Sequence, residues 1–442
     1  MKDERKSLTQ LFVPICFETL CYMLAGMVDT LMLSSVNDQA VGAVGTANTY
    51  IGVFIIMFSV VSSGMIAVMT QYIGAGRNGV AYQAKQLGLI FSAILGIVLS
   101  FFLFFCAEPV LKVVGVADLL LDYAVTYMKI VGGSCILNAL IPIYSSYLRA
   151  FGYTKEPLIA TLTGNVLNLI LNAVFLFVFG MGVTGVAIAT VISRVVNLII
   201  IIFAGKHLIH AGKDKERLPN KVVFGQIIRV GLPSAMETAL YNLAMTIIIR
   251  FLNQMDADGL NVTARSYAVQ ITNFSYCVGA ALSQANAILT GWRIGADKFE
   301  ECDKGTKKAA LIGIVVATTV ETLFAVFSGV LMRMFTDDPA MIALVGKLLV
   351  VDIVLEIGRV SNLVFGNALK TSGDAVFTTV IAAVFMYVCA VGGTYILGIQ
   401  LGMLVVGAYI GMAMDECTRA VCMFFRWRSG KWKEKELIQK TK

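Results

Sequence analysis

Twelve stretches of this 442-residue chain are apolar over about 20 residues or more, the length of a membrane-crossing helix. They fall near 8–35, 47–73, 86–106, 121–148, 158–179, 182–205, 227–254, 265–291, 307–332, 342–368, 376–397 and 402–427. In lipid every backbone polar group must be satisfied within the segment, so such stretches cross as helices. The chain is 58% apolar and 14% charged; soluble domains carry about 25% charged residues. A soluble enzyme, a secreted disulfide scaffold and a disordered protein are thereby excluded. A β-barrel is excluded too, since its strands would alternate polar and apolar residues. The expected fold is an all-α polytopic membrane protein with twelve transmembrane helices. The windows longer than a span predict tilt or kinks.

Few residues of this chain suit metal or redox chemistry. None of the nine cysteines is spaced as CxxC, and most lie inside apolar runs, as small buried hydrophobes do. The two histidines, His207 and His210, share one polar loop. Proton chemistry inside the bilayer therefore falls to carboxylates. The first apolar run carries Glu18 and Asp29 and has no small-residue cleavage site, so no secretory signal is expected.

Basic residues set the orientation. Alternate loops hold Lys2, Arg5, Lys6, Arg77, Lys85, Arg149, Lys155, Lys206, Lys213, Lys215, Arg217 and Lys221, then Arg293, Lys298, Lys304, Lys307, Lys308 and Lys370. The intervening loops hold mainly Lys112, Arg333 and the acids Asp38, Glu108, Asp118, Asp256, Asp258, Asp337 and Asp338. Both termini are expected in the cytoplasm, in a cytoplasmic (inner) membrane. The last seventeen residues hold seven basic and two acidic groups, a net +5. That pattern predicts contact with anionic lipid rather than with nucleic acid. Trp292, Trp427 and Trp432 fall at predicted inner helix ends, where interfacial tryptophans are expected.

The longest inner polar stretch, Lys206 to Gln226, separates two halves that resemble each other. Pro14 to Thr19 (PICFET) matches Pro233 to Thr238 (PSAMET). Ile73-Gly74-Ala75 matches Ile294-Gly295-Ala296, and Leu148-Arg149 with Gly152 matches Leu369-Lys370 with Gly373. The offsets are 219 to 221 residues. Six helices per half is an even number, so both halves insert the same way up, as a parallel repeat. The expected domains are an N-lobe over 1–212 and a C-lobe over 213–442, joined by the loop at about 206–226. Repeats of this kind place substrate cavities at the repeat interface or inside each bundle.

Ionisable residues inside a membrane cost about 2.5–3.5 kcal/mol each on insertion scales and mark function by default. Glu18, Asp29, Arg194, Glu237, Asp352, Glu356, Arg359, Asp415, Glu416 and Arg419 are such residues. Glu18 and Asp29 are eleven residues apart, close to three helical turns, so they face one way about 16 Å apart. Asp29 reads as a functional carboxylate or as an interfacial acid. Its equivalent in the second half is Ile248, so it belongs to one half only. Asn165, Asn168 and Asn172 form one polar stripe, suited to a cation or to interhelical hydrogen bonds. Thr190 could add an oxygen. Asp352, Glu356, Arg359 and Asn362 share a helix face, and Asp415, Glu416 and Arg419 cluster on another helix. Glu356 with Arg359 and Asp415 with Arg419 can pair locally. These groups read as a structural salt-bridge network or as substrate and proton handling, with Glu237 the least obviously paired acid. No Walker sequence, GxSxG or HExxH occurs, so transport would draw on an ion gradient and no cofactor.

The chain resembles the multidrug and toxic compound extrusion (MATE) family of cation-coupled antiporters over essentially its whole length. The resemblance rests on Val28-Asp29-Thr30 after Pro14, Gln71 to Gly76, Leu148 to Gly152, Asn168 to Asn172, and Gly182 to Thr190. In the second half it rests on Gly231-Leu232-Pro233 and Asn367 to Asp374. It implies two six-helix lobes open to one side at a time, with cationic amphipathic molecules exported by a monomer in exchange for Na⁺ or H⁺. It also implies a cation site in the N-lobe at Asp29, Asn168, Asn172 and Thr190. Some members have Asp where this chain has Asn172. Another branch uses a seventh-helix Glu, matched here by Glu237. The rival within transport is a lipid-linked precursor flippase of the same superfamily, which would carry extra spans and a cationic central cavity. A membrane receptor, a scaffold or a membrane-embedded enzyme would need neither the repeat nor the buried acids.

Overall fold

A computed structural model describes residues 6–34, 38–113, 115–255 and 259–438, apart from the side chains of Asp38 and Lys213. Lys2, Arg5, Asp256 and Asp258, used above for orientation, lie outside the described residues. The described residues form helices and turns, with no strand among them.

Twelve long helical segments follow one another among the described residues. The first six are α1 (Leu8–Ser34), α2 (Asp38–Gly74), α3 (Asn78–Phe105), α4 in two pieces (Asp118–Gly132 and Cys135–Ala150), α5 (Lys155–Val178) and α6 (Gly182–Leu208). The second six are α7 (Asn220–Met255), α8 (Leu260–Gly295), α9 (Phe299–Val326), α10 (Pro339–Ser372), α11 (Ala375–Gln400) and α12 (Leu404–Arg428). Eight of them are long and apolar enough to span a membrane unaided, and α4 does so as a pair bent by 43°. The other three are α8, α10 and α12. Ser, Thr and Asn residues run along α8, and charged residues along α10 and α12. They pack on one another and bury those groups, which is how such segments persist in an apolar phase. Asp338 caps α10 by accepting from the Ala340 amide, with Pro339 at the first helical position.

The chain forms two compact units, one of residues 13–232 with Lys6, the other of residues 233–438 with Ser7–Phe12. The core of the first joins α2, α3, α4 and α6 through Phe58, Leu103, Met128, Val131 and Val186. The core of the second joins α7, α8, α10 and α12 through Ile248, Leu252, Ile271, Leu348 and Tyr409. Small residues let helices approach. In the second unit α11 and α12 cross with Gly393 against Gly411 and Gly398 against Gly407, where an added Cβ would strike backbone.

The polar mid-chain stretch belongs to the first unit and is strapped to the start of α3. The Asp214 carboxylate accepts from the Gly79 and Glu216 amides at 2.9 and 3.0 Å. The Glu216 amide, then the Gly79 amide, hold this carboxyl below its usual range. Gln83 binds Leu218 through both its amide groups.

Trp427 and Trp432 do not face the membrane interface. They stack at 4.2 Å between ring centroids inside the second unit, each 1% exposed. Their indole N–H groups donate to the Asp303 carboxylate and the Trp427 carbonyl. Burial with a bonded N–H is the other stable setting for this side chain. The nine cysteines are free thiols.

Candidate functional site: a polar cavity in each half

Inside the first unit a cavity of about 390 Å³ opens between α1, α2, α4, α5 and α6. Asp29 reaches it from α1, Asn165 and Asn168 from α5, and Thr190, Arg194 and Asn197 from α6. Asn172 sits one turn beyond Asn168 and is fully buried. Its side-chain nitrogen donates to Asp29 Oδ1 at 2.7 Å and to Asn168 Oδ1 at 3.2 Å. Its own Oδ1 is a buried acceptor with no donor. Asn165, on the same wall, donates to the Cys21 carbonyl on α1. The Thr190 hydroxyl donates to Val186 one turn back. Three of the four residues singled out for a cation thus form one hydrogen-bonded cluster, and Thr190 lines the same cavity. Directly after Asn172 the α5 backbone widens to a π-type turn over Val174–Val178, a distortion common at functional sites.

Glu18 does not line this cavity. It is buried and pairs with Arg149, at the end of α4, at 2.8 Å. Glu237 was expected to be the least paired acid, yet it lies 2.9 Å from Lys370 at the end of α10. Each acid follows a helix proline by four residues, and each base is the paired position in the half-chain repeat. The two halves therefore carry the same ion pair in the same place. Arg149 and Lys370 end their helices and turn back onto α1 and α7.

The second unit has its own cavity of about 430 Å³, reached by Glu237, Arg265, Asp352, Arg359, Glu416 and Arg419 among others. Arg359 pairs with Glu356 at 2.8 Å, and Arg419 with Asp415 at 2.7 Å. Glu416 joins the pairs. It meets Arg419 at 2.9 Å, lies 3.8 Å from Arg359, and accepts from Asn362 at 2.9 Å. What reads as two local pairs is one network across α10 and α12. Ile248, the counterpart of Asp29, is buried in the apolar core.

Two charged residues escaped the sequence reading. Arg265 sits on the cavity wall near the start of α8, where it looks like a flank of the apolar window. Glu321 is fully buried in α9 with neither carboxylate oxygen hydrogen-bonded. A single acid in the middle of an apolar run is its sequence signal. Among the described residues no cluster of His, Cys, Asp and Glu could hold a metal ion.

Long apolar helices, a repeated half and a polar cavity within each half define a membrane carrier. The family profile MatE matches the chain twice, over residues 14–174 and 233–396, once per half. The chain belongs to the MatE family of multi-span membrane transporters. It is 33% identical over 439 residues to the uncharacterized transporter YisQ of Bacillus subtilis, covering 98% of this chain and 96% of that one. It is 26% identical to the probable multidrug resistance protein NorM of Thermotoga maritima, over 99% and 95% of the two chains. In fold it is similar to a multidrug resistance MATE transporter of the MOP superfamily solved in an outward-facing conformation. The TM-score is 0.86, with 20% identity and coverage of 97% and 96%. The expected all-helical, two-lobed fold agrees with these relatives.

Proposed function

We propose that the protein is a secondary antiporter of the cytoplasmic membrane, exporting small amphipathic molecules in exchange for Na⁺ or H⁺ by alternating access. One observation carries the coupling assignment. Asp29, Asn168 and Asn172 form a hydrogen-bonded cluster at a cavity, and the Asn172 amide oxygen within it lacks a donor. A carboxylate with neighbouring amide oxygens offers the hard oxygen ligands a small cation takes. A proton and a cation neutralise the same carboxylate and therefore exclude each other there. A ligand that favours one conformation shifts the equilibrium by its differential affinity, and exclusive occupancy of one site couples two such ligands. The twelve helices and intramembrane acids favour this assignment over a lipid-linked precursor flippase.

Reciprocal flux tests it. Adding cargo to one side of proteoliposomes holding the purified protein should drive Na⁺ or H⁺ toward that side, read by an entrapped ion-sensitive dye. Cargo movement with no opposing ion movement would show uniport instead.

Orientation has its own test. In a variant lacking the native cysteines, Lys215→Cys should react with a membrane-impermeant maleimide only in everted vesicles. Reaction in intact cells would reverse the assigned topology.

A further inference from the structure

The cavity of the second unit is faced by four basic side chains (Arg265, Arg359, Lys370 and Arg419) and three acidic ones (Glu237, Asp352 and Glu416). Most of these charges are already matched. Lys370 has Glu237, Arg359 has Glu356, and Arg419 has Asp415 and Glu416. Two are not. The Arg265 guanidinium meets only the Met245 sulfur, at 3.7 Å, and its Nε is buried without an acceptor. Among the described residues no carboxylate is close enough to pair with it. Asp352 is 2% exposed, and its Oδ2 is buried without a donor. One cation and one anion thus line the same cavity, neither in an ion pair of its own among the described residues. A buried carboxylate in that state is costly unless a ligand completes it, and the half-buried guanidinium leaves its free N–H groups for an anion.

Part of the remaining wall is apolar and adaptable, beside the polar Thr238, Thr272, Asn273 and Asn362. Met245, Met386 and Met412 supply flexible thioethers, and Tyr276 and Tyr409 supply ring faces. A volume of about 430 Å³ is within the range of sites for drug-sized molecules.

We propose that this cavity takes a zwitterionic amphiphile, its oxyanion on Arg265, its cationic group at Asp352, and its apolar body among the methionines and tyrosines. A guanidinium favours a carboxylate, sulfonate or phosphate because its N–H groups match their paired oxygens. This narrows the organic cation implied by the family resemblance to one that also bears an anionic group. That the bound molecule is the exported one rests on the antiport assignment above; binding itself does not.

The probes are a zwitterionic rhodamine with a free carboxylate and its ethyl ester, which keeps the cationic body and masks the anion. Binding to the full-length protein in lipid nanodiscs, with no ion gradient, is read by fluorescence anisotropy. Wild-type protein should bind the free acid roughly tenfold more tightly than the ester, the scale of one charge-assisted contact. Arg265→Gln should erase that preference by weakening the acid alone, and Arg265→Lys should retain part of it. Asp352→Asn should weaken both forms, since both carry the cation. Equal binding of acid and ester by the wild type, or a preference that survives Arg265→Gln, overturns the proposal. Asp29→Asn should leave the preference intact, so failure of antiport and failure of this site give different results.

Discussion

Asp29→Asn is expected to insert and fold as the parent does, yet to lose ion-driven efflux. Asparagine keeps the size of the side chain and its capacity to hydrogen-bond Asn172, now 2.7 Å away. What it removes is the charge for which proton and cation compete. Coupling free energies of about 1–3 kcal/mol correspond to roughly 5–150-fold. Efflux should fall by that order, to the rate of uncoupled leak, in vesicles given a Na⁺ or H⁺ gradient. Cargo binding in detergent should persist, because the binding cavity proposed above lies in the second unit. Ion-dependent efflux at the parental rate would reject Asp29 and move coupling to a carboxylate of the second unit. Asp352 and Glu321 would then be the candidates, since Glu237 is occupied by Lys370.

The second large effect is on folding. Glu356 is fully buried, and its Oε2 accepts from Arg359 at 2.8 Å. Removing one member of such a pair strands the other and costs about 3–5 kcal/mol, whereas replacing both with apolar residues of similar volume is often close to neutral. Glu356→Leu and Arg359→Met should each cut folded yield and lower the melting temperature. The double variant should recover most of both losses, because Glu416 keeps Arg419 and Asn362. Size-exclusion yield and thermal unfolding of the four proteins in one detergent complete the cycle. Losses in the double variant equal to the sum of the singles would refute the pairing.

The elements differ in how far the sequence disclosed them, and for physical reasons. Nine of the twelve helices are legible because a bilayer demands about 20 apolar residues per crossing; in α8, α10 and α12 buried polar and charged residues dilute that signal. Glu356–Arg359 and Asp415–Arg419 are legible because residues three or four apart share a helix face. The Asn168–Asn172 contact follows the same rule. Glu18–Arg149 and Glu237–Lys370 are not legible by spacing, since helices far apart in the chain bring them together. Their signal lay in the repeat, where both partners of each pair are matched positions. Glu237 looked unpaired because Lys370 reads as a loop cation when only its hydropathy window is considered. The α6 cavity face is also legible in retrospect. Thr190, Arg194 and Asn197 recur at i, i+4 and i+7, the spacing of a single stripe. Arg265 is the one charge of α8 before Arg293, and Glu321 the one charge of α9 after Lys308; an isolated charge offers no periodicity to detect. The tryptophans misled because an aromatic at a helix end suits an interface or a buried stack equally.

Antiport driven by an ion gradient is the claim on which the rest depends. Its most direct test is uptake of a fluorescent amphiphile into everted membrane vesicles, with Na⁺ and H⁺ gradients imposed separately and then collapsed by ionophores. The assignment predicts uptake with at least one of the two gradients and none once both are collapsed, whether or not ATP is present. Uptake that continues with both gradients collapsed would contradict it.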